Sequence, residues 1–145
     1  MDWGTVASIA TAIGVAVAAW QIRLSRKIFQ TQFEDSLDQQ YRELVRDIPV
    51  DALIGDECPS EQSDSVRELV FNYLDLSNEQ AYLRRIKRVS KARWKEWNEG
   101  IRNNLSKPVF REIWEEVKER APNEFTELEL LEKTGFGDDP AERRQ

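Results

Sequence analysis

The stretch "GTVASIATAIGVAVAAWQI", residues 4–22, decides the fold of this chain because it contains no charged residue. From Trp3 to Ile22 twenty residues in a row are uncharged, and Gln21 is the only strongly polar side chain among them. A helix of that length rises about 30 Å, which just crosses the hydrocarbon core of a bilayer. The stretch therefore predicts a transmembrane helix, with an alanine-rich helix buried in a soluble core as the alternative.

The residues that flank this stretch favour the transmembrane interpretation. Trp3 and Trp20 lie near its two ends, where interfacial aromatic residues are expected. Acidic charge precedes the stretch at Asp2, and basic charge follows it at Arg23, Arg26 and Lys27. The positive-inside rule then places the N-terminus outside and the rest of the chain in the cytoplasm. A cleaved signal peptide fits poorly, since no Lys or Arg precedes the apolar stretch.

Small residues recur along the predicted span at intervals of about one helical turn. Such residues let helix backbones approach each other closely in lipid. We therefore predict self-association within the membrane through one face of this helix, formed by Gly4, Ser8, Gly14 and Ala18. The alternatives are a weakly hydrophobic anchor that contacts no other helix, and a water-filled pore.

The composition of the whole chain limits its chemistry. The 145 residues carry a net charge of −6, which argues against general affinity for nucleic acid. The chain has no histidine and a single cysteine, Cys58, so it cannot form an internal disulfide. Zinc sites built on Cys and His are excluded, as are Ser-His-Asp and Cys-His catalysis. We expect no enzymatic activity and no cofactor.

The periodicity beyond the span is helical throughout. Apolar residues from Leu24 to Ile48 predict that the span continues as an amphipathic helix, which Pro49 ends. Two prolines and a glycine predict a loop or a short turn over residues 49–64. The predicted fold is all-α: an N-terminal transmembrane helix that continues into an amphipathic helix and packs with a small helical cytoplasmic bundle. Its parts are a transmembrane anchor with its basic flank (1–27), a cytoplasmic helical domain (28–133) and a disordered polar tail (134–145).

Four further helices follow from apolar spacing and capping residues. The second runs from about Ser65 to Lys87, and Ser90 caps the third. Ser106 is expected to cap the fourth, and Thr126 with Glu129 has the spacing of a capping box for the last. Tryptophans at helical spacing predict core packing rather than a cofactor site: Trp94, Trp97 and Trp114.

A basic stretch interrupts this acidic chain at "RRIKRVSKARWK", residues 84–95, in which seven of twelve residues are basic. It can form a solvated face paired with glutamates of the following helix, namely Glu112, Glu115, Glu116 and Glu119. It can dock on anionic lipid headgroups or on a partner. It can also bind nucleic acid, with a base stacked on Trp94. The residues concerned are Arg84, Arg85, Lys87, Arg88, Lys91, Arg93 and Lys95.

A polar cluster interrupts the second helix at Asp75, Asn78, Glu79 and Gln80. Two carboxylates one turn apart can bind a divalent cation or perform acid–base chemistry. A structural network that includes Arg88 or Arg102 is the favoured interpretation. Gly100, inside the third helix, predicts close approach of a neighbouring backbone.

Four segments together resemble a group of short bacterial proteins that carry one N-terminal span and a small helical domain. These segments are "QFEDSLDQQYRELVRDIPVDALIG" (32–55), "FNYLDLSNEQAYLRR" (71–85), "RWKEWNEGIRNNLSKPVFREIWEEV" (93–117) and "APNEFTEL" (121–128). The resemblance implies the architecture and a bacterial origin, but no activity and no site residues. The leading hypothesis is a non-enzymatic, single-span protein of the bacterial inner membrane that self-associates or binds a protein partner. The alternatives are a membrane-disrupting effector of the phage-defence type and a tethered nucleic-acid-binding module.

Overall fold

The computed structural model describes residues 2–56 and 63–143, and within these ranges all regular structure is helical. The all-α prediction is therefore confirmed. In the described ranges six α-helices are followed by one turn of 3₁₀ helix at Pro140–Glu142. The α-helices are α1 (Trp3–Asp47), α2 (Val50–Ile54), α3 (Ser63–Arg85), α4 (Lys91–Leu105), α5 (Pro108–Arg120) and α6 (Thr126–Lys133).

The first helix is unusually long. Its 45 residues rise about 67 Å without a break, and it ends at Asp47, two residues before Pro49. The chain divides into two compact units between Asp35 and Ser36, inside this helix. The first buried apolar side chain of the second unit is that of Leu37.

The core of the second unit combines the inward faces of all the helices beyond Ser36. Aromatic rings meet edge to face at its centre: the centroids of Tyr73 and Phe110 lie 5.2 Å apart, and those of Trp114 and Phe125 lie 6.1 Å apart. The predicted apolar positions are largely those that are buried, and Trp94 and Trp114 are core residues as expected. Further buried side chains are those of Val66, Val70, Leu74, Ile101, Leu105, Val117, Leu128 and Leu131.

Two of the predicted helix caps differ from those in the structure. The Ser90 side chain accepts from the Arg93 backbone N–H at 3.3 Å, so it caps α4 as predicted. The residue before α5 is Lys107 rather than Ser106, and Pro108 occupies the first turn. The capping box at Thr126 is wrong, since the residue before α6 is Phe125, which offers no side-chain cap.

Two segments predicted to lack structure are ordered. Within the predicted loop 49–64, Val50–Ile54 forms α2, which buries Ala52; Cys58 lies outside the described residues. The prediction of a disordered tail is wrong for residues 134–143. These residues pack on the second unit because Asp139 pairs with Arg84 and Pro140 is fully buried. We call residues 136–143 the C-terminal strap.

Candidate functional site

The apolar part of α1 is exposed along its whole length. Trp3 is 87% exposed and Trp20 is 64% exposed, and none of the most apolar 18-residue window is buried. The helix is long and apolar enough to cross a membrane. The core helix of a soluble protein has a similar length and composition but is mostly buried, unlike this window.

Two hydroxyl groups within the apolar segment are hydrogen-bonded inside the helix. The Ser8 hydroxyl donates to the Gly4 carbonyl at 2.9 Å, and the Thr11 hydroxyl donates to the Ala7 carbonyl at 2.9 Å. In lipid each such bond removes an unpaired donor. A Cβ placed on Gly14 would meet nothing within 4 Å, so this face is open to a neighbouring helix.

The basic stretch is not a free cationic surface. Arg84 is only 8% exposed, and its guanidinium is held in a fork by Asp139. Nε lies 2.7 Å from Oδ1, Nη2 lies 2.5 Å from Oδ2, and Nη1 donates to the Val89 carbonyl at 2.8 Å. The Arg84 guanidinium holds the pKa of Asp139 below its usual value. Arg84 is therefore not available to a ligand while the strap is in place.

Three more cations of the stretch are paired within the second unit. Arg85 Nε lies 2.7 Å from Glu127, and Arg93 Nη1 lies 3.1 Å from both Asp38 and Glu96. Lys91 Nζ lies 2.8 Å from Glu142 of the strap, whose carboxylate raises the pKa of Lys91. The remaining basic side chains of the stretch are exposed: Lys87, Arg88 and Lys95.

Two of the predicted acidic partners on α5 pair with other residues. Glu115 pairs with Arg111 and Lys118 of its own helix. Glu116 pairs with Arg120 at 2.7 Å and also with Arg67 of α3. Four basic residues of the stretch, Arg84, Arg85, Lys91 and Arg93, are paired with acids outside α5. The acids come instead from α1, α4, α6 and the strap.

Trp94 cannot provide a stacking platform for a base, because its side chain is only 3% exposed. Trp97 is half-buried, and its indole N–H donates to Asp38 Oδ1 at 2.7 Å. Both rings lie on α4 in structural roles. The base-stacking role predicted for Trp94 is therefore wrong.

The polar cluster on α3 does not converge on one site. Asp75 and Glu79 are exposed, whereas Gln80 is buried and lines a small cavity of about 180 Å³. Asn78 has a different role: its Oδ1 accepts from the backbone N–H groups of Glu127 at 3.1 Å and Leu128 at 3.2 Å. Asn78 thereby caps α6 from another helix. The described residues contain no group of three acidic or cysteine side chains that could hold a metal ion.

Gly100 does not mark a close backbone approach. A Cβ at this position would meet nothing within 4 Å, and the residue is exposed on α4. The expectation from the sequence is therefore wrong within this chain.

Sequence reasoning missed two buried or half-buried carboxylates that tie helices together. Glu127 is 6% exposed and pairs with Arg85 and Arg143. Glu132 accepts from the Trp114 indole N–H at 3.0 Å and from Lys118 at 2.9 Å, and it also pairs with Arg111. Their partners are distant in sequence, so local charge patterns carry no signal for them.

No known family model matches this chain, and no curated protein or solved structure is significantly similar to it. The resemblance to short single-span bacterial proteins therefore stays a prediction. Two features of the described residues bear on function: the exposed apolar segment of α1, and the basic stretch that is neutralised in part by the strap.

Proposed function

We propose that this chain is a non-enzymatic, single-span protein of the bacterial inner membrane. Its helical domain, beyond Ser36, mediates self-association or partner binding at the cytoplasmic surface. The observation that supports this proposal is the complete exposure of the apolar window of α1. Exposing apolar surface to water costs a free energy of about 25 cal/mol per Å². A bilayer is therefore the natural environment of this surface.

The proposed orientation rests on the exposed basic residues that follow the apolar segment. Arg23, Arg26 and Lys27 are all exposed on α1, whereas the other end of the segment carries Asp2. This asymmetry favours a cytoplasmic location for everything after Arg23.

The proposed self-association uses the small-residue face of the span. At 100° per residue, Gly4, Ser8, Gly14 and Ala18 lie within one side of the helix. The open space around Gly14 and the internal pairing of the Ser8 hydroxyl are compatible with close contact to a second copy.

An alkaline carbonate wash of membranes from cells that produce the full chain tests the location. Retention in the pellet is the expected result, because a transmembrane helix resists extraction. Release into the supernatant would show that α1 is peripheral or soluble, and would overturn the proposal.

Self-association is tested by Gly14→Leu in a membrane two-hybrid assay. The added side chain separates the helices, so the signal should fall. Ala16→Leu is the matched control, because residue 16 lies about 160° around the helix from residue 14. Equal signals from the two variants would exclude the small-residue face as the interface.

A further inference from the structure

The C-terminal strap is attached to the domain chiefly by charge. Asp139 holds the buried Arg84, and Glu142 holds Lys91 at 2.8 Å. Arg143 forms ion pairs with Asp138 at 2.6 Å and with Glu127 at 2.9 Å. The fully buried side chain of the strap is that of Pro140. The strap therefore acts as an internal anion for the basic stretch, and it is also attached by the buried Pro140 and by a hydrogen bond from Asn98 Nδ2 to the Phe136 carbonyl at 2.8 Å.

The seam between the strap and α4 is imperfectly packed. An open groove of about 370 Å³ runs along it, between the α4 side chains of Lys95 and Arg102 and the strap residues Phe136–Asp139. In this groove Asn98 Nδ2 donates to the Phe136 carbonyl at 2.8 Å, whereas Asn98 Oδ1 is buried without a hydrogen-bond partner. An unsatisfied buried oxygen opposes closure of the strap.

We infer that residues 84–95 form a concealed binding surface for anionic lipid headgroups, which the strap occupies until a membrane phosphate replaces it. This inference rests on the proposed function, because α1 would hold the domain beside the bilayer. A buried guanidinium cannot be left without a counter-charge, so release of Asp139 requires another anion at Arg84. Lipid binding and strap opening are therefore coupled.

Lipid fits this surface better than nucleic acid does. The side chain of Trp94 is buried and cannot stack a base. The chain carries a net charge of −6, which opposes approach of a long polyanion. A membrane anchor overcomes that repulsion by keeping the headgroups close. Exposed Lys87 and Lys95 lie in the same stretch and would make the first contacts.

Hydrogen exchange of the full chain in nanodiscs tests the inference. One set contains phosphatidylcholine alone, and the other contains about one third phosphatidylglycerol. The reporters are the amides of Ala141, bonded to Asp139 Oδ1 at 3.0 Å, and Glu142, bonded to the Asp139 carbonyl at 2.9 Å. We expect exchange at least about tenfold faster in the anionic discs. Equal exchange in both sets would overturn the inference.

Matched variants separate lipid binding from loss of stability. Lys87→Gln with Lys95→Gln should abolish the difference between the two lipids, since neither residue is paired with the strap in the structure. Arg67→Gln with Arg120→Gln removes two exposed cations outside the basic stretch and should leave the difference intact. If both double variants behave alike, the effect is general electrostatics and the assignment to residues 84–95 is wrong.

Two further experiments test the inference separately from the proposed function and from nucleic-acid binding. If the chain fails the carbonate test, it is added to vesicles of the same two compositions, and the same exchange comparison decides the strap inference alone. Single-stranded RNA added to the phosphatidylcholine discs should leave the strap amides protected. Opening by RNA there would overturn the assignment to lipid.

Discussion

Replacing Asp139 with asparagine removes one charge of a nearly buried ion pair. The side chains of Arg84 and Asp139 are 10% and 12% exposed, so solvent screens the pair little. Breaking such a pair costs about 3 to 5 kcal/mol, because the remaining charge is left uncompensated. Asparagine keeps an amide oxygen that can accept from Arg84, so we expect the lower end, about 3 kcal/mol.

For a chain of this size a loss of about 3 kcal/mol lowers the melting temperature by roughly 6 to 12 °C. Thermal unfolding of the full chain in detergent micelles, followed by tryptophan fluorescence, measures the shift. Glu142→Gln is the control, because its pair with Lys91 is exposed at the surface and should leave the melting temperature unchanged. If Asp139→Asn and Glu142→Gln have the same melting temperature, the ion pair between Arg84 and Asp139 does not stabilise the domain and the reasoning fails.

Three smaller changes test other parts of the domain. Gly100→Ala should stabilise by up to about 1 kcal/mol, since the new Cβ meets nothing, whereas Gly135→Ala, at a φ of +61°, should destabilise; equal melting shifts would contradict this. Asn78→Ala should cost about 0.5 to 2 kcal/mol in urea unfolding by uncapping α6, and Asn78→Asp, which keeps the acceptor, should cost less. Burial raises the pKa of Glu132, but hydrogen bonds from Lys118, Arg111 and Trp114 outweigh it and hold the pKa below its usual 4.5. The Glu132 carboxylate therefore contributes fully to the free energy of unfolding above pH 4.5, and this contribution is lost as the pH falls through the lowered pKa. Glu132→Gln should flatten the acid side of a curve of unfolding free energy against pH.

The helices could be predicted because their signals are local. Pro49 ends α1, Ser90 caps α4, and the apolar periodicity of α3 identifies Tyr73 and Leu74 as core residues. Each of these effects depends on residues within a few positions of each other. Helix propensity, capping and apolar periodicity are local effects of this kind. The all-α fold could therefore be predicted from the sequence.

The cap of α6 shows where local reasoning stops. Thr126 and Glu129 have the spacing of a capping box, yet the acceptor for the Glu127 and Leu128 amides is Asn78, about fifty residues earlier. A helix terminus needs acceptors but does not specify which part of the chain supplies them. Only the packing of α3 beside α6 determines that, and no spacing in the sequence encodes it.

The order of the C-terminal strap could not be predicted from the sequence for the same physical reason. Residues 134–145 are polar and charged, a composition that is typical of a solvated tail when its partners are unknown. Their acids find partners in Arg84 and Lys91, which are about fifty residues away. A run of like charge thus predicts neither exposure nor function by itself. In this chain the basic stretch and the acidic strap are complementary parts of one electrostatic contact, and whether a membrane competes for it is the question that the strap amides answer.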